Sequence, residues 1–221
     1  MGPRLKASRT LEAVLAKPLS RLLALALFGV CGLALGLTSC GGSAPAHTTA
    51  ASDSLSGFDG AALPAGEAPH DFALTDQDGA RVSLSDYRGR VVMLSFLYPS
   101  CGSACVLIAE QIRGALDELG RPVPVLIVSA EPAADTPAKV HRFLAQVSLA
   151  GRALYLGGTR AQLQPLWRAY HVQPASAGAA AFSSYAGVIL LDRTGAERVL
   201  FEQEQLSPEA LAHDVRKLER E

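Results

Sequence analysis

A strand, a helix and a second strand follow one another between residues 91 and 128, and this unit constrains the fold more than any other feature. Residues 91–97 form a continuous apolar run of strand length, which predicts a strand buried on both faces. Residues 104–119 carry leucine and isoleucine at helical spacing, and Gly120 ends the pattern. Residues 123–128 form a second buried strand. Such a crossover is right-handed and makes its two strands parallel neighbours.

Antiparallel hairpins are predicted on both sides of this unit. Residues 72–84 and residues 188–201 each contain two strand-like runs around a turn rich in Asp and Gly. Further helices are expected to begin near Thr136, Thr159 and Ser207. A parallel crossover with an antiparallel closing hairpin predicts an α/β fold, in which a thioredoxin-like mixed β-sheet is flanked by helices and preceded by an N-terminal β-hairpin.

The first 40 residues carry an export pattern. Residues 22–37 are apolar, interrupted by glycines and preceded by basic residues, as in a signal peptide with a long basic region. Residues 37–40, with the sequence LTSC, resemble the lipobox of bacterial lipoproteins, which are cut before a cysteine that is then acylated. We expect a signal peptide over residues 1–39, lipidation at Cys40, and an extracytoplasmic, membrane-anchored lipoprotein on the periplasmic side. The alternative is an uncleaved anchor helix that ends in a cysteine.

Residues 41–69 contain mostly Ala, Ser, Thr, Gly and Pro, with few larger apolar side chains. Such a composition cannot bury enough surface to order the chain. We therefore expect residues 40–69 to be the lipidated cysteine and a flexible tether, and residues 70–221 to be one domain.

The charge of the mature chain argues against nucleic acid as a partner. The sequence has 20 basic and 21 acidic residues, but five of the basic ones and Glu12 precede the apolar run. The remainder holds 15 basic and 20 acidic residues. A nucleic-acid-binding domain would need a basic face for the phosphates.

Four cysteines are present, and two of them belong to the mature domain. Cys31 lies in the signal and Cys40 would carry lipid, which leaves Cys101 and Cys105 between the first buried strand and the helix. The N-terminus of a helix stabilises a thiolate, which is both the nucleophile of disulfide exchange and a soft ligand for Cu(I). A structural disulfide is the alternative, although so short a loop removes little entropy from the unfolded chain.

Several motifs between residues 71 and 219 resemble the Sco/SenC family of thioredoxin-fold proteins, which deliver copper to respiratory oxidases and handle thiols. The shared residues are Phe72-x-Leu74, Asp76-Gln77-Asp78-Gly79, Val82-Ser83-Leu84-Ser85-Asp86-Tyr87-x-Gly89, Phe96-Leu97-Tyr98, Cys101-x-x-x-Cys105, Ser129-x-x-Pro132-x-x-Asp135-Thr136-Pro137 and Tyr170-x-Val172.

The resemblance implies a copper site made of both cysteines and a histidine just before the last hairpin. Counting back from Gly195, this chain has Ser184 at the histidine position and Ser183 where an aspartate is usual. A serine hydroxyl is a poor ligand for Cu(I). The expected metal ligands are therefore Cys101 and Cys105, without the third. His171 could replace it, although a solvated position at a helix end is the more typical reading.

Two functions follow, and both use the cysteine pair. The first is a membrane-anchored Sco/SenC-like protein that handles Cu(I), reduces thiols or does both in the maturation of respiratory oxidase copper sites. Its partner would be a periplasmic cuproprotein, an oxidase subunit or a disulfide-bearing protein. The second is a thiol-disulfide oxidoreductase independent of copper. A thiol peroxidase ranks last because no threonine or arginine stands at a spacing that would activate peroxide.

Overall fold

The computed structural model describes residues 56–173 and 187–221. Within these ranges the chain forms eight strands, four helices and a short 3₁₀ helix at Leu84–Tyr87. The strands are β1 (Ala61–Ala62), β2 (Ala73–Thr75), β3 (Arg81–Ser83), β4 (Val92–Leu97), β5 (Val125–Ser129), β6 (Leu154–Leu156), β7 (Gly187–Leu191) and β8 (Glu197–Glu202). The helices are α1 (Ser103–Leu119), α2 (Pro137–Gln146), α3 (Arg160–Ala169) and α4 (Pro208–Arg220).

Six of the strands form one mixed sheet in the order β1-β8-β7-β4-β5-β6. Strands β4, β5 and β6 are parallel, whereas β7 runs antiparallel to β4 and β8 runs antiparallel to β7. Strands β2 and β3 form a separate two-stranded hairpin. The predicted mixed sheet with an N-terminal hairpin is confirmed.

The alternating side chains of β4 divide the core into two layers. Met93 and Leu97 point into a cluster that packs with α1, α2 and α4. Leu94 and Phe96 point into a second cluster that packs with α3 and the β2–β3 hairpin. Because both faces of β4 are covered, its six residues are all buried, as the continuous apolar run predicts.

The predicted helix starts are confirmed by their caps. The Thr136 side chain accepts a hydrogen bond from the backbone N–H of Lys139, and Ser207 accepts one from that of Ala210. Thr159 forms a reciprocal capping box with Gln162 at the start of α3. These side chains satisfy N–H groups that have no partner inside the helix.

A strand is present before residue 70, the position where the domain is expected to begin. Ala61 and Ala62 pair with Leu200 and Val199 at the edge of the sheet. The buried Asp214 carboxylate accepts hydrogen bonds from the backbone N–H of Asp59 at 3.0 Å and of Gly60 at 2.9 Å. A carboxylate about 155 residues away in sequence therefore orders a segment whose composition predicts a tether.

Strand β6 was also absent from the predicted elements. It has only three residues, and it completes the parallel part of the sheet by pairing with β5.

No helix among the described residues is long and apolar enough to cross a membrane. The predicted signal peptide, Cys40 and Ser184 all lie outside the described residues.

Candidate thiol and copper site

Cys101 and Cys105 lie at the junction between the central strand and the first long helix. β4 ends at Leu97, α1 begins at Ser103, and the two cysteines form a disulfide with their Cα atoms 5.9 Å apart. Gly102 is the N-cap residue of α1 and has a φ of 76°, a conformation that favours glycine. It offers no side chain to cap the helix, so the first-turn N–H groups and the positive end of the helix dipole remain available to a thiolate.

The two sulfur-bearing residues differ in exposure. Cys105 is fully buried beneath the first turn of α1, whereas Cys101 is only partly buried in the preceding loop. Chemically, such a pair suits disulfide exchange, in which the more exposed sulfur meets a partner and the buried one resolves the mixed disulfide.

A buried polar network lies at the same end of the sheet. The Ser129 hydroxyl donates to an Asp135 oxygen at 2.5 Å, and the Tyr155 hydroxyl lies 2.5 Å from the same oxygen and 3.1 Å from the backbone carbonyl of Leu97. Tyr155 has one hydroxyl proton, so it donates to only one of these acceptors at a time. When Asp135 is protonated, it can donate to Tyr155, and Tyr155 to the end of β4.

The environment of Asp135 favours this neutral form. Burial raises the pKa of Asp135, and the hydrogen bonds from Ser129 and Tyr155 offset the shift only in part. The second oxygen, Oδ1, is buried and has no hydrogen-bond partner among the described residues. Sequence reasoning found Asp135 only as a part of the family motif, because the contact with Tyr155 depends on the unpredicted strand β6.

Loops around this end hold the network and the cysteine loop together. The Ser100 hydroxyl donates to Glu131 in the loop that follows β5. The Trp167 indole donates to the backbone carbonyl of Ser129 at 3.0 Å and so ties α3 to the end of β5. Trp167 and Tyr170 are both buried in the core.

The described histidines do not complete a copper site with the two sulfurs. His70 lies 3.6 Å from Glu197 at the start of β8, and the charge of His171 also acts on Glu197. Among the described residues, the one group of three metal-ligating side chains close enough to share an ion is Asp59, His213 and Asp214. In this disulfide form, no described histidine makes such a group with Cys101 and Cys105.

The Asp59, His213 and Asp214 group has a structural explanation. His213 Nδ1 lies 2.9 Å from Asp214 and 3.1 Å from Asp59, and both Asp214 oxygens already accept backbone N–H groups. These contacts hold the first described residues of the chain against α4. The group therefore needs no metal ion to account for its geometry.

A cysteine pair at the helix start that follows the central strand of a mixed sheet is typical of thioredoxin-like redox and metal-handling domains. The family model described as SCO1/SenC matches residues 61–220. The chain belongs to the SCO1/SenC family.

Solved structures of this family share the fold. ScoI of Bradyrhizobium japonicum with copper bound is 26% identical, and the match covers 69% of this chain and 99% of that one with a TM-score of 0.55. BsSco is described as a member of the Sco family of cytochrome c oxidase assembly proteins, in a structure that identified a disulfide switch. It is 17% identical, with 72% of this chain and 96% of that one covered and a TM-score of 0.59.

The chain is also similar to part of a curated peroxidase. Peroxiredoxin Bcp of Escherichia coli is 37% identical over 82 residues, which are 37% of this chain and 50% of that protein. The chain thus spans about half the length of the curated relatives it matches.

Proposed function

We propose that Cys101 and Cys105 handle Cu(I), thiols or both during the maturation of the copper sites of a respiratory oxidase. The observation that carries this proposal is the pairing of a partly exposed Cys101 with a buried Cys105 at an uncapped helix start. Membership of the SCO1/SenC family supports it, as do a relative that binds copper and another described as an oxidase assembly protein.

In the copper function, the ion is cargo rather than a resident cofactor. Two thiolates hold Cu(I) in a low coordination number, and an acceptor protein takes the ion by offering its own soft ligands. By the family resemblance, Ser184 stands where the family has an imidazole, so Cu(II), which prefers nitrogen donors, should be held poorly. The disulfide form has no thiolate to offer, so copper binding requires the reduced pair.

In the thiol function, the reduced pair transfers two electrons to a disulfide. The Cys101 thiolate attacks one sulfur of the partner disulfide, that bond breaks, and the leaving thiolate takes up a proton. Cys105 then attacks the Cys101 sulfur and releases the second partner thiol. The net result is one protein disulfide formed and one partner disulfide reduced to two thiols.

The anchoring is part of the proposal and rests on residues 22–40. The apolar run and the LTSC sequence support cleavage before Cys40 and acylation of that cysteine, with the domain held at the outer side of a membrane. Mass spectrometry of the membrane-derived protein should find an acylated Cys40 as the first residue. An intact residue 1 without an acyl mass would contradict the anchor.

Alkylation of the cysteines tests the site itself. One equivalent of Cu(I) should protect both cysteines of the reduced protein from an alkylating reagent, and Cys101 should react first without copper because Cys105 is buried. Without copper, the alkylation rate should reach half its maximum below about pH 8.5, the value of a free thiol. Thiols that titrate at or above that value and gain no protection would indicate a structural disulfide.

The similarity to peroxiredoxin Bcp supports thiol peroxidase activity as a second candidate. The Cys101 thiolate would attack a peroxide oxygen, form a sulfenic acid and release water or an alcohol, and Cys105 would condense with the sulfenic acid to a disulfide and water. No hydrogen bond or ion pair in the described ranges brings an arginine to either cysteine. We therefore expect slow peroxide consumption, and Cys105→Ser should accumulate the sulfenic acid if the activity is real.

A further inference from the structure

A surface groove runs along the first turns of α1, the helix that begins two residues after Cys101. It has a volume of about 400 Å³ and is lined by Ser103, Ala104, Val106, Leu107 and Glu110 of α1 and by Gln203 just after β8. Ser103 and Ala104 lie between the two cysteines in the sequence, so two of the groove's lining residues are neighbours of the thiol site along the chain. We call it the α1 groove.

Leu107 gives the α1 groove its apolar part. Its side chain is 40% exposed, and it is the only large hydrophobic residue exposed to this extent in the described part of the chain. The next two residues, Ile108 and Ala109, are fully buried in the core. A single exposed leucine is ordinary on a protein surface. Leu107 stands two residues after the buried Cys105 and lies on the opposite, exposed side of the same first turns of α1.

The charge around the α1 groove is negative. Glu110 lines the groove, and Glu202 and Glu204 flank Gln203 at its other wall. None of these three carboxylates forms an ion pair with another described residue. A basic side chain on a bound partner would therefore meet an unpaired carboxylate here.

We propose that the α1 groove docks an extended segment of the disulfide-bearing partner protein, with its cysteine at Cys101, an apolar side chain against Leu107 and a basic side chain facing Glu110. This inference rests on the thiol function proposed above and adds the recognition that precedes the exchange. The mixed disulfide between Cys101 and the partner forms and resolves through the same two-electron steps.

The geometry of α1 sets the spacing of the recognised side chains. Leu107 and Glu110 are three residues apart in a helix, which brings their Cβ atoms within about 5–6 Å of each other. In an extended segment, side chains on the same side lie two residues apart, or about 6.6–6.8 Å. The apolar and basic residues of the partner should therefore stand two positions apart, near its cysteine.

Reduction of peptide disulfides tests this recognition. The probes are a disulfide-bridged peptide with Leu and Lys two positions apart near one cysteine, a matched peptide with Ser and Asp there, and 2-hydroxyethyl disulfide. The reduced protein should react with the Leu/Lys peptide roughly tenfold faster than with the Ser/Asp peptide, since burial of the exposed part of a leucine and its partner is worth about one decade.

Two variants and a control locate the effect. Leu107→Ser should remove most of the preference for the Leu/Lys peptide, and Glu110→Gln should lower the preference and weaken its dependence on salt. Both should leave the rate with 2-hydroxyethyl disulfide unchanged, because that molecule is too small to reach Leu107. The matched control is Glu209→Gln, an exposed carboxylate on α4 that does not line the α1 groove.

The possible failures are distinguishable. An unchanged preference in both variants would overturn the α1 groove as the docking surface while the thiol function stands. If Leu107→Ser slows the reaction with the peptides and with 2-hydroxyethyl disulfide equally, the substitution affects the cysteines themselves. That result would also overturn the α1 groove as the docking surface. A wild-type protein that exchanges with none of the three probes would overturn the thiol function and the docking inference together.

Discussion

The two ends of the central sheet use charge in opposite ways. At the cysteine end, where β4 and β5 finish, several carboxylates have few or no basic side chains as partners. They are Glu110, Glu131, Asp135 and Glu202. At the opposite end, where the parallel strands begin and the β7–β8 turn lies, arginines meet acidic partners. They are Arg88 with Asp71, Arg121 with Glu219, Arg152 with Asp117 and Arg198 with Asp192.

Two aspartates show what this difference does. Burial opposes the charge of Asp192, but hydrogen bonds from Thr194 and Ala196 together with Arg198 outweigh it and lower the pKa of Asp192. Burial raises the pKa of Asp135 at the cysteine end, where a second oxygen has no partner in the described ranges. Asp192 thus has its charge satisfied by donors, whereas Asp135 keeps a buried oxygen without a partner among the described residues.

Substitution of either cysteine should have the largest effect on activity, and this effect should arise only at the cysteine end of the sheet. Cys101→Ser and Cys105→Ser are each expected to abolish tight Cu(I) binding and complete disulfide exchange, because both functions need two sulfurs. The control is Ala145→Ser, at an exposed position of α2 outside the site and the α1 groove, which should retain both activities. Retention of either activity in a cysteine variant would place the chemistry elsewhere.

Restoring the family histidine should change the metal preference of the cysteine end. Ser184→His is expected to produce a Cu(II) complex with a defined absorption and spin-resonance spectrum, because imidazole is a good donor to Cu(II). The control is Ser183→His, which moves the imidazole by one position. Equal behaviour of the two variants would contradict the assignment of position 184.

At the turn end, Asp192→Asn should lower the free energy of unfolding by about 1–2 kcal/mol at pH 7, because hydrogen bonds to a charged group are lost. The lowered pKa means that Asp192 stabilises the fold above its ordinary value of 3.8 and loses that contribution as the pH falls through the lowered value. Urea denaturation should therefore show the wild type and variant converging in acid. A difference that grows in acid would contradict the sign.

At the cysteine end, Asp135→Asn should change the free energy of unfolding less than Asp192→Asn does. Its effect on the pH dependence of that free energy should have the opposite sign. Because the pKa of Asp135 is raised, its contribution is present below the ordinary value of 3.8 and is lost as the pH rises through the raised value. The variant removes this loss, since it cannot ionise. We expect its free energy of unfolding at pH 7 to lie within about 1 kcal/mol of the wild type. An unchanged pH profile would contradict the burial of the charge.

Much of the fold follows from local sequence patterns. The β4–α1–β5 unit, both hairpins and the helix starts at Thr136, Thr159 and Ser207 depend on nearby residues, and the structure has them where the patterns predict. Strand β1 could not be predicted this way, because the residues just before it are held by hydrogen bonds to Asp214, which is far away in the sequence. Three residues of β6 are too few for a periodic pattern.

In the candidate site, only the cysteine pair could be predicted from the sequence. The spacing and placement of Cys101 and Cys105 follow from the sequence, but their unequal burial requires the packing of α1 on the sheet. The contact between Asp135 and Tyr155 joins residues from a loop and an unpredicted strand. The position of His171 relative to Glu197 likewise depends on how α3 packs.

An anaerobic competition titration of the purified protein against a chromogenic Cu(I) chelator tests the central claim most directly. The reduced protein should take one Cu(I) per chain from the chelator, the oxidised protein should take none, and Cu(II) added to the reduced protein should leave no stable Cu(II) signal. Cu(I) binding by the oxidised protein would contradict the assignment of the ligands to Cys101 and Cys105. A tight wild-type Cu(II) complex would contradict the absence of a third ligand.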